Sequence, residues 1–374
     1  MSKIKIAFLI HDLGPGGAEK VLVNLVNNMD DSKFDISVIA LFRGGVNEQF
    51  LHDNIHYNVW IPYMVPGNSK IMRLFSPKRL YKMCIKEKYD IVVSYLEGPT
   101  ARLVSGCTDE DTRLVSWIHC SMPDEKAASV GFRSFSEAKA CYSRFDNTVC
   151  VSKWVMDVFK NTFSFEKPIE VLYNTIETRL IEEKANEPVD VFKNDEINIC
   201  AVGKVLKSKG CERLVNIQKR LVADGFRTHI YFIGIGADEE FVKSFAKDNN
   251  LVDSITLLGY QTNPYKYVSK CDLFVCASYS EGFSTAATEA LIVGTPVVTV
   301  DVSGMREMLG ENNEYGIVTE NNEDALYEGI KKMLTTPGML EYYAERAKER
   351  GKKFSTEKTV KAVEKMLLSL RGEL

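Results

Sequence analysis

Two kinds of hydrophobic pattern alternate along the chain. Apolar-rich runs fall at 4–10, 34–41, 90–94, 113–117, 147–152, 197–202, 229–234, 254–259, 273–276 and 297–300. Runs without an exposed polar face predict strands buried on both sides, as in parallel sheets. A weaker run at 55–60 predicts a further strand. Between the runs, apolar residues recur at helical spacing. Ala18, Val21, Leu22, Leu25, Val26 and Met29 make one such face. Near the end, Ser355 reads as an N-cap, and Val360, Val363, Met366, Leu367 and Leu370 make another face. Strand and helix in regular alternation predict β-α-β units and a doubly wound α/β fold.

The alternation breaks once. Residues 177–196 are rich in Glu, Asp, Asn and Lys and lack a sustained apolar period, which reads as a linker. Two Rossmann-like domains are therefore expected, over 1–178 and 196–352, with a last helical segment over 353–374. The chain of 374 residues is long enough for two cores.

Composition removes several classes of function. Hydrophobic content of 45% and charged content of 26% are ordinary for a water-soluble protein. A net charge of −4 argues against general nucleic-acid binding. The nine cysteines are odd in number and form no C-x-x-C pair, and Cys150, Cys200 and Cys276 sit in apolar runs. They read as reduced thiols of a cytoplasmic protein, not as disulfides or zinc ligands. The first ten residues hold too short an apolar run for a signal peptide. No stretch approaches the roughly 20 apolar residues of a membrane span, so any membrane contact is expected to be peripheral.

Residues 271–300, CDLFVCASYSEGFSTAATEALIVGTPVVTV, concentrate the chemistry. An apolar strand leads into a polar turn, a helix over 284–292 and a stop at Gly294–Thr295–Pro296 before the next strand. Residues just past a strand's carboxyl end lie where open α/β sheets bind ligands. Ser284 and Thr285 open the helix, and amides at a helix start suit an anion such as diphosphate. Glu281 and Glu289 are hydrogen-bond acceptors suited to sugar or ribose hydroxyls. Taken alone, the same residues are equally consistent with an ordinary cap and a solvated acid.

Three other stretches carry candidate chemistry. Lys204, Lys207 and Lys209 follow a strand and suit a diphosphate, or are surface lysines. Gly16 and Gly17 join a strand to a helix and can offer backbone N–H groups. This is not the dinucleotide fingerprint, because its third glycine would fall on Glu19. Residues 70–88 mix Lys70, Arg73, Lys78, Arg79, Lys82, Lys86 and Lys88 with aliphatic and aromatic side chains. Such a mixture suits an anionic membrane, or is a solvated helix face.

EGFSTAATEA followed by GTPVV resembles the donor-site signature of the retaining glycosyltransferases of family 4, which have the GT-B fold. GGAE at 16–19, a histidine after the strand at 113–117, and Gly203, Lys204, Lys209 and Gly210 also match that family. The resemblance covers nearly the whole chain. It implies two Rossmann-like domains facing a cleft, with the last helix returning to the first. It implies that Glu281 and the backbone of Gly282, Phe283 and Ser284 hold the donor sugar, and that Glu289 holds the ribose. His119 would approach the donor sugar, and Lys204 and Lys209 would stabilise the leaving diphosphate. Gly16, Gly17, Gly203, Gly234, Gly236, Tyr260 and Thr285 would complete the donor site. Three positions depart from the usual pattern. Ser284 and Thr175 replace glycines, and Lys204 replaces the commoner arginine, keeping the charge without its bidentate geometry.

The reaction so implied is retaining transfer of a hexose or N-acetylhexosamine from a UDP-sugar to a hydroxyl of a glycan or lipid-linked acceptor, in surface-polysaccharide synthesis. The nucleotide sugar is substrate and no cofactor is expected. No D-x-D sequence occurs, so no metal is expected either. Two alternatives share the fold: a UDP-sugar epimerase, for which Glu97 is the only acid placed in the first domain's share of the cleft, and a catalytically idle partner subunit.

Overall fold

The computed structural model describes residues 3–64, 67–193 and 195–372. Seven strands make a first sheet: β1 (Ile4–Ile10), β2 (Phe34–Phe42), β3 (His56–Ile61), β4 (Ile91–Ser94), β5 (Arg113–Ile118), β6 (Asn147–Cys150) and β7 (Ile169–Val171). Their order is β3-β2-β1-β4-β5-β6-β7, and every pair is parallel. Six more make a second sheet: β8 (Ile197–Val202), β9 (Thr228–Ile233), β10 (Ile255–Leu257), β11 (Leu273–Cys276), β12 (Val297–Val300) and β13 (Ile317–Thr319). Their order is β10-β9-β8-β11-β12-β13, again all parallel. The continuous apolar runs have the physical cause the pattern implied. β4, β6, β9, β11 and β12 are buried along their whole length because helices cover both faces.

Each sheet reverses its winding once. In the first, the chain goes outward from β1 on one side and returns to β4 on the other. In the second, the reversal lies between β8 and β11. At such a point the loops leave in opposite directions and a hollow opens beyond the carboxyl ends of the two strands.

The first unit comprises Met1–Ile176 and Thr356–Leu374, and the second comprises Glu177–Ser355. The acidic segment read as a linker contains a helix, Thr178–Ala185. That helix packs on the second unit's helices Tyr265–Val268 and Thr285–Val293. Asn263 Nδ2 and Ser269 Oγ donate to its last carbonyls, at Lys184 (3.0 Å) and Ala185 (2.9 Å). Only Ile181 and Ala185 are buried along it, too few to print a period on the sequence. Neither Asn174 nor Thr175 takes a positive φ, so the missing glycine is not needed at that turn.

The final helix, Thr356–Leu370, packs in the first unit against the helix Gly17–Asn28. Val363, Met366 and Leu367 are buried, the Glu364 carboxylate accepts the Asp30 amide at 2.7 Å, and Arg371 meets Asp90 at 3.2 Å. Leu367 is fully buried. Leu367→Ala should therefore destabilise the first unit by about 2–5 kcal/mol, read as a lower urea midpoint for its unfolding transition.

Candidate active site

The second unit's strand reversal brings two sequence-distant loops to one place. After β8 the chain runs through Gly203 and Lys204 into a short 3-10 turn, Lys207–Lys209. After β11 it runs through Ala277–Gly282 to the helix Thr285–Val293. A hollow of about 40 Å³ between these loops is lined by Gly203, Lys204, Lys209, Ser278, Glu281 and Ser284, among others.

Lys209 Nζ lies 2.7 Å from Glu281 Oε1. The Ser278 hydroxyl donates to the same oxygen at 2.6 Å. Lys209 and Glu281, given separate parts of a ligand by the family resemblance, thus form an ion pair with each other. Gly210 makes the approach possible. Its φ is +77°, and a Cβ there would stand 2.2 Å from the Ala277 carbonyl oxygen. Lys204 is exposed, and among the described residues it forms no ion pair, unlike its neighbours Lys207 and Lys209. Ser278 escaped the sequence reading, although the S-x-x-E spacing to Glu281 was its available signal.

Ser284 is the N-cap of the helix that follows, its Oγ accepting the Ala287 amide at 3.3 Å. The cap satisfies one donor. The helix geometry leaves the amides of Thr285 and Ala286 without intrahelical acceptors, facing an anion's natural place. Gly282 is fixed from the far side by Ser303 Oγ, which donates to its carbonyl at 2.8 Å, and Phe283 packs 5.9 Å from the Phe354 ring. Glu289 does not line the 40 Å³ hollow. It is 7% exposed, and the Tyr265 hydroxyl donates to it at 3.5 Å. A buried carboxylate requires such partners, which sets Glu289 apart from a solvated helix acid.

The turns after β8, β9 and β10 are laced together by backbone. Gly203 N donates to Ile233 O at 3.0 Å, Val205 N to Ile235 O at 3.1 Å, and Gly234 bridges Gly259. Gly234 and Gly236 both stand where a Cβ would strike a neighbouring carbonyl oxygen, at 2.0 and 2.1 Å. Tyr260, at 46% exposure, and Ile235, at 51%, are left as apolar surface beside this lacing.

In the first unit, His119 follows β5 and is buried. Its amide donates to Glu97 Oε2 at 3.0 Å, and its ring lies 4.7 Å from Tyr95 and stacks at 6.4 Å on Trp117. Burial pushes its pKa from 6.5 down to about 3, so the imidazole is neutral near pH 7. Burial also raises Glu97, against the His119 and Cys120 hydrogen bonds that favour its charged form. Glu97, the acid an epimerase would have used, is therefore committed to holding the His119 loop. Tyr95 and Trp117 were absent from the sequence reading; a strand-end aromatic carries no signal there. Gly16 caps the helix Gly17–Asn28 without a side-chain bond, and the Glu19 carboxylate folds over it.

A larger hollow of about 520 Å³ is lined by Lys5, Asp35, His56 and Tyr89, among others. It lies at the amino ends of β1–β3, the edge opposite the one that open α/β sheets use.

Two parallel Rossmann-like domains, with a polar hollow at the second sheet's reversal, fit the GT-B glycosyltransferases that the resemblance named. The comparisons agree. Residues 182–350 match the model for glycosyl transferases group 1, and residues 15–180 match that for glycosyltransferase family 4. The chain is 30% identical over 375 residues to a Campylobacter jejuni N-acetylgalactosamine-N,N'-diacetylbacillosaminyl-diphospho-undecaprenol 4-alpha-N-acetylgalactosaminyltransferase, covering 97% of this chain and 99% of that one. It is 23% identical to an Escherichia coli UDP-Gal:alpha-D-GlcNAc-diphosphoundecaprenol alpha-1,3-galactosyltransferase, covering 86% and 85%. The solved structure of HepE from Anabaena in complex with UDP superposes with a TM-score of 0.76 at 16% identity, over 98% of this chain and 100% of that one. The chain belongs to the family 4 glycosyltransferases and is a hexosyltransferase.

Two tests follow from the geometry. Gly210→Ala should separate Lys209 from Glu281 and lower turnover in a glycosyl-transfer assay, because both the positive φ and the Ala277 contact oppose a side chain. Between pH 6.5 and 3 an unfolded His119 binds a proton that the folded chain refuses. Wild type should therefore lose up to about 1.4 kcal/mol more stability per pH unit below 6.5 than His119→Gln. Urea unfolding of both proteins between about pH 7.5 and about pH 5 reads the difference in slope.

Proposed function

We propose that the protein moves a hexose or N-acetylhexosamine, with retention of configuration, from a UDP-sugar to a hydroxyl of a glycan or lipid-linked acceptor in surface-polysaccharide synthesis. The carrying observation is the convergence of Lys209, Glu281 and Ser284 on one hollow at the β8–β11 reversal. The relatives' names support the substrate classes: both are named for transfer to diphospho-undecaprenol-linked sugars, and one is named with a UDP-sugar donor.

Lys204, Lys209 and the amides at the start of Thr285–Val293 meet the charge that develops on the departing diphosphate. Preorganised positive potential of this kind is a large term in transfer chemistry. When Lys209 turns to the phosphate, Glu281 is released to accept hydrogen bonds from the donor sugar, with Phe283 beside it. Glu289 takes the ribose hydroxyls. Gly203, Gly234, Gly236 and Tyr260 form the nucleotide's rim, and Gly16, Gly17 and His119 contribute from the first domain. A neutral His119 donates or accepts one hydrogen bond to a sugar hydroxyl. The leaving phosphate takes the acceptor's proton, so no protein nucleophile is needed. Epimerisation is the poorer reading, since Glu97 is bound to the His119 loop. Among the described residues no helix is long and apolar enough to cross a membrane. A lipid-linked acceptor is then met by peripheral contact of residues 70–88 with the anionic inner face of the cell membrane.

Lys209→Ala and Glu289→Ala should each lower transfer by roughly 10²-fold or more while leaving the melting temperature near that of wild type. Normal turnover in both variants removes the site assignment. Incubation with a panel of UDP-sugars should show slow hydrolysis of the true donor, and that donor should raise the melting temperature by mass action.

A further inference from the structure

The helix Cys211–Ala223 follows the Lys207–Lys209 turn, and Arg213 lies in its first turn. The side chain is 7% exposed. Its Nη1 donates to the Ala277 carbonyl at 3.3 Å and to Asn321 Oδ1 at 2.7 Å, and its Nη2 donates to the Asn321 carbonyl at 3.4 Å. The guanidinium carbon lies 3.6 Å from the centroid of the Tyr279 ring. Around it the Tyr279 amide donates to the Ser208 carbonyl at 3.0 Å, and Asn321 Nδ2 donates to the Tyr279 carbonyl at 3.4 Å. One side chain thus ties the helix after β8 to the loops after β11 and β13.

Every partner of this guanidinium is neutral. Among the described residues Arg213 forms no ion pair, whereas Arg220 on the same helix meets Asp324 at 2.6 Å. The acids beside it in sequence and just beyond Asn321 are engaged elsewhere: Glu212 with Lys207 at 3.7 Å, and Glu323 with Asn216 Nδ2 at 3.0 Å. A charge taken out of water without a counter-charge is expensive, and arginine cannot shed its proton to relieve the cost. A brace alone needs no charge, since a glutamine amide can also donate to a carbonyl. The position supplies the reason for one. Ala277, whose carbonyl Arg213 holds, lines the hollow at the β8–β11 reversal, and so do Cys211 and Leu214 from Arg213's own helix. The guanidinium therefore stands behind the wall of that hollow.

We propose that Arg213 is a positioning residue for the donor's diphosphate. Its charge, uncompensated within the protein, raises the positive potential of the hollow, and its hydrogen bonds hold the loop that carries Glu281. The inference rests on the reading of that hollow as the UDP-sugar site, and it adds a cation that acts without touching the ligand. A field acts on charge, so losing it weakens ligands in the order of their phosphate charge.

Titration calorimetry of the full chain with UDP, UMP and uridine tests this in wild type, Arg213→Gln and Arg213→Lys. Arg213→Gln should lower UDP affinity about tenfold or more, UMP affinity by less, and uridine affinity little. Arg213→Lys keeps the charge and should restore most of the preference for UDP over uridine. Equal losses for all three ligands reduce Arg213 to a brace and overturn the inference. It is also overturned if Arg213→Gln binds UDP like wild type, or if Arg213→Lys prefers UDP no more than Arg213→Gln does. Should wild type itself bind UDP no better than uridine, the donor-site reading fails and takes this inference with it. Where wild type does prefer UDP, a negative result in the variants falls on Arg213 alone.

Discussion

A parallel sheet that winds outward from its middle must leave two neighbouring strand ends uncovered. The second unit depends on that constraint. β8 and β11 are adjacent in space and separated by two whole strand–helix units in sequence, so the loops beyond them meet only when the sheet is complete. What meets there is a cation and an anion, Lys209 and Glu281, 2.7 Å apart. The Gly210–Ala277 contact and the Tyr279 amide on the Ser208 carbonyl hold those two loops in register, while the Ser278 hydroxyl steadies Glu281 within its own loop and Ser303 ties Gly282 to the loop after β12.

Much of this could be read without coordinates. Buried parallel strands write themselves as unbroken apolar runs, and most of both sheets was legible for that reason; the three-residue edge strands β7 and β13 were too short to be read. The strand, polar turn and capped helix that carry Glu281, Ser284 and Glu289 were legible because they fall in immediate succession. The Lys209–Glu281 pair was not. It joins residues far apart in sequence through a carbonyl contact at Gly210, and nothing local in either stretch encodes it. The helix Thr178–Ala185 was read as a linker because its buried face is two residues wide. Arg102 was invisible for another reason. It sits in a short helix whose composition gives no hint that its guanidinium is almost wholly enclosed.

The departures from the family pattern have modest physical meaning. At Ser284 the hydroxyl is turned inward as a cap, so the position still presents backbone toward the hollow. At Lys204 a compact ammonium stands where a planar fork is commoner, and it is exposed and mobile in reach. Backbone is kept at the hollow in the first case and charge in the second, and the directed cation is Lys209, whose carboxylate partner fixes its position.

The final helix has a consequence for biogenesis. Thr356–Leu370 belongs to the domain that begins the chain, and Glu364 and Arg371 complete contacts with Asp30 and Asp90. A ribosome delivers this helix only after the whole of the second unit. The amino-terminal domain, though made first, must wait with part of its core bare until the entire carboxyl-terminal domain has emerged. Order of synthesis and order of completion are therefore inverted, and a nascent chain released early would lack the starting domain's own last layer.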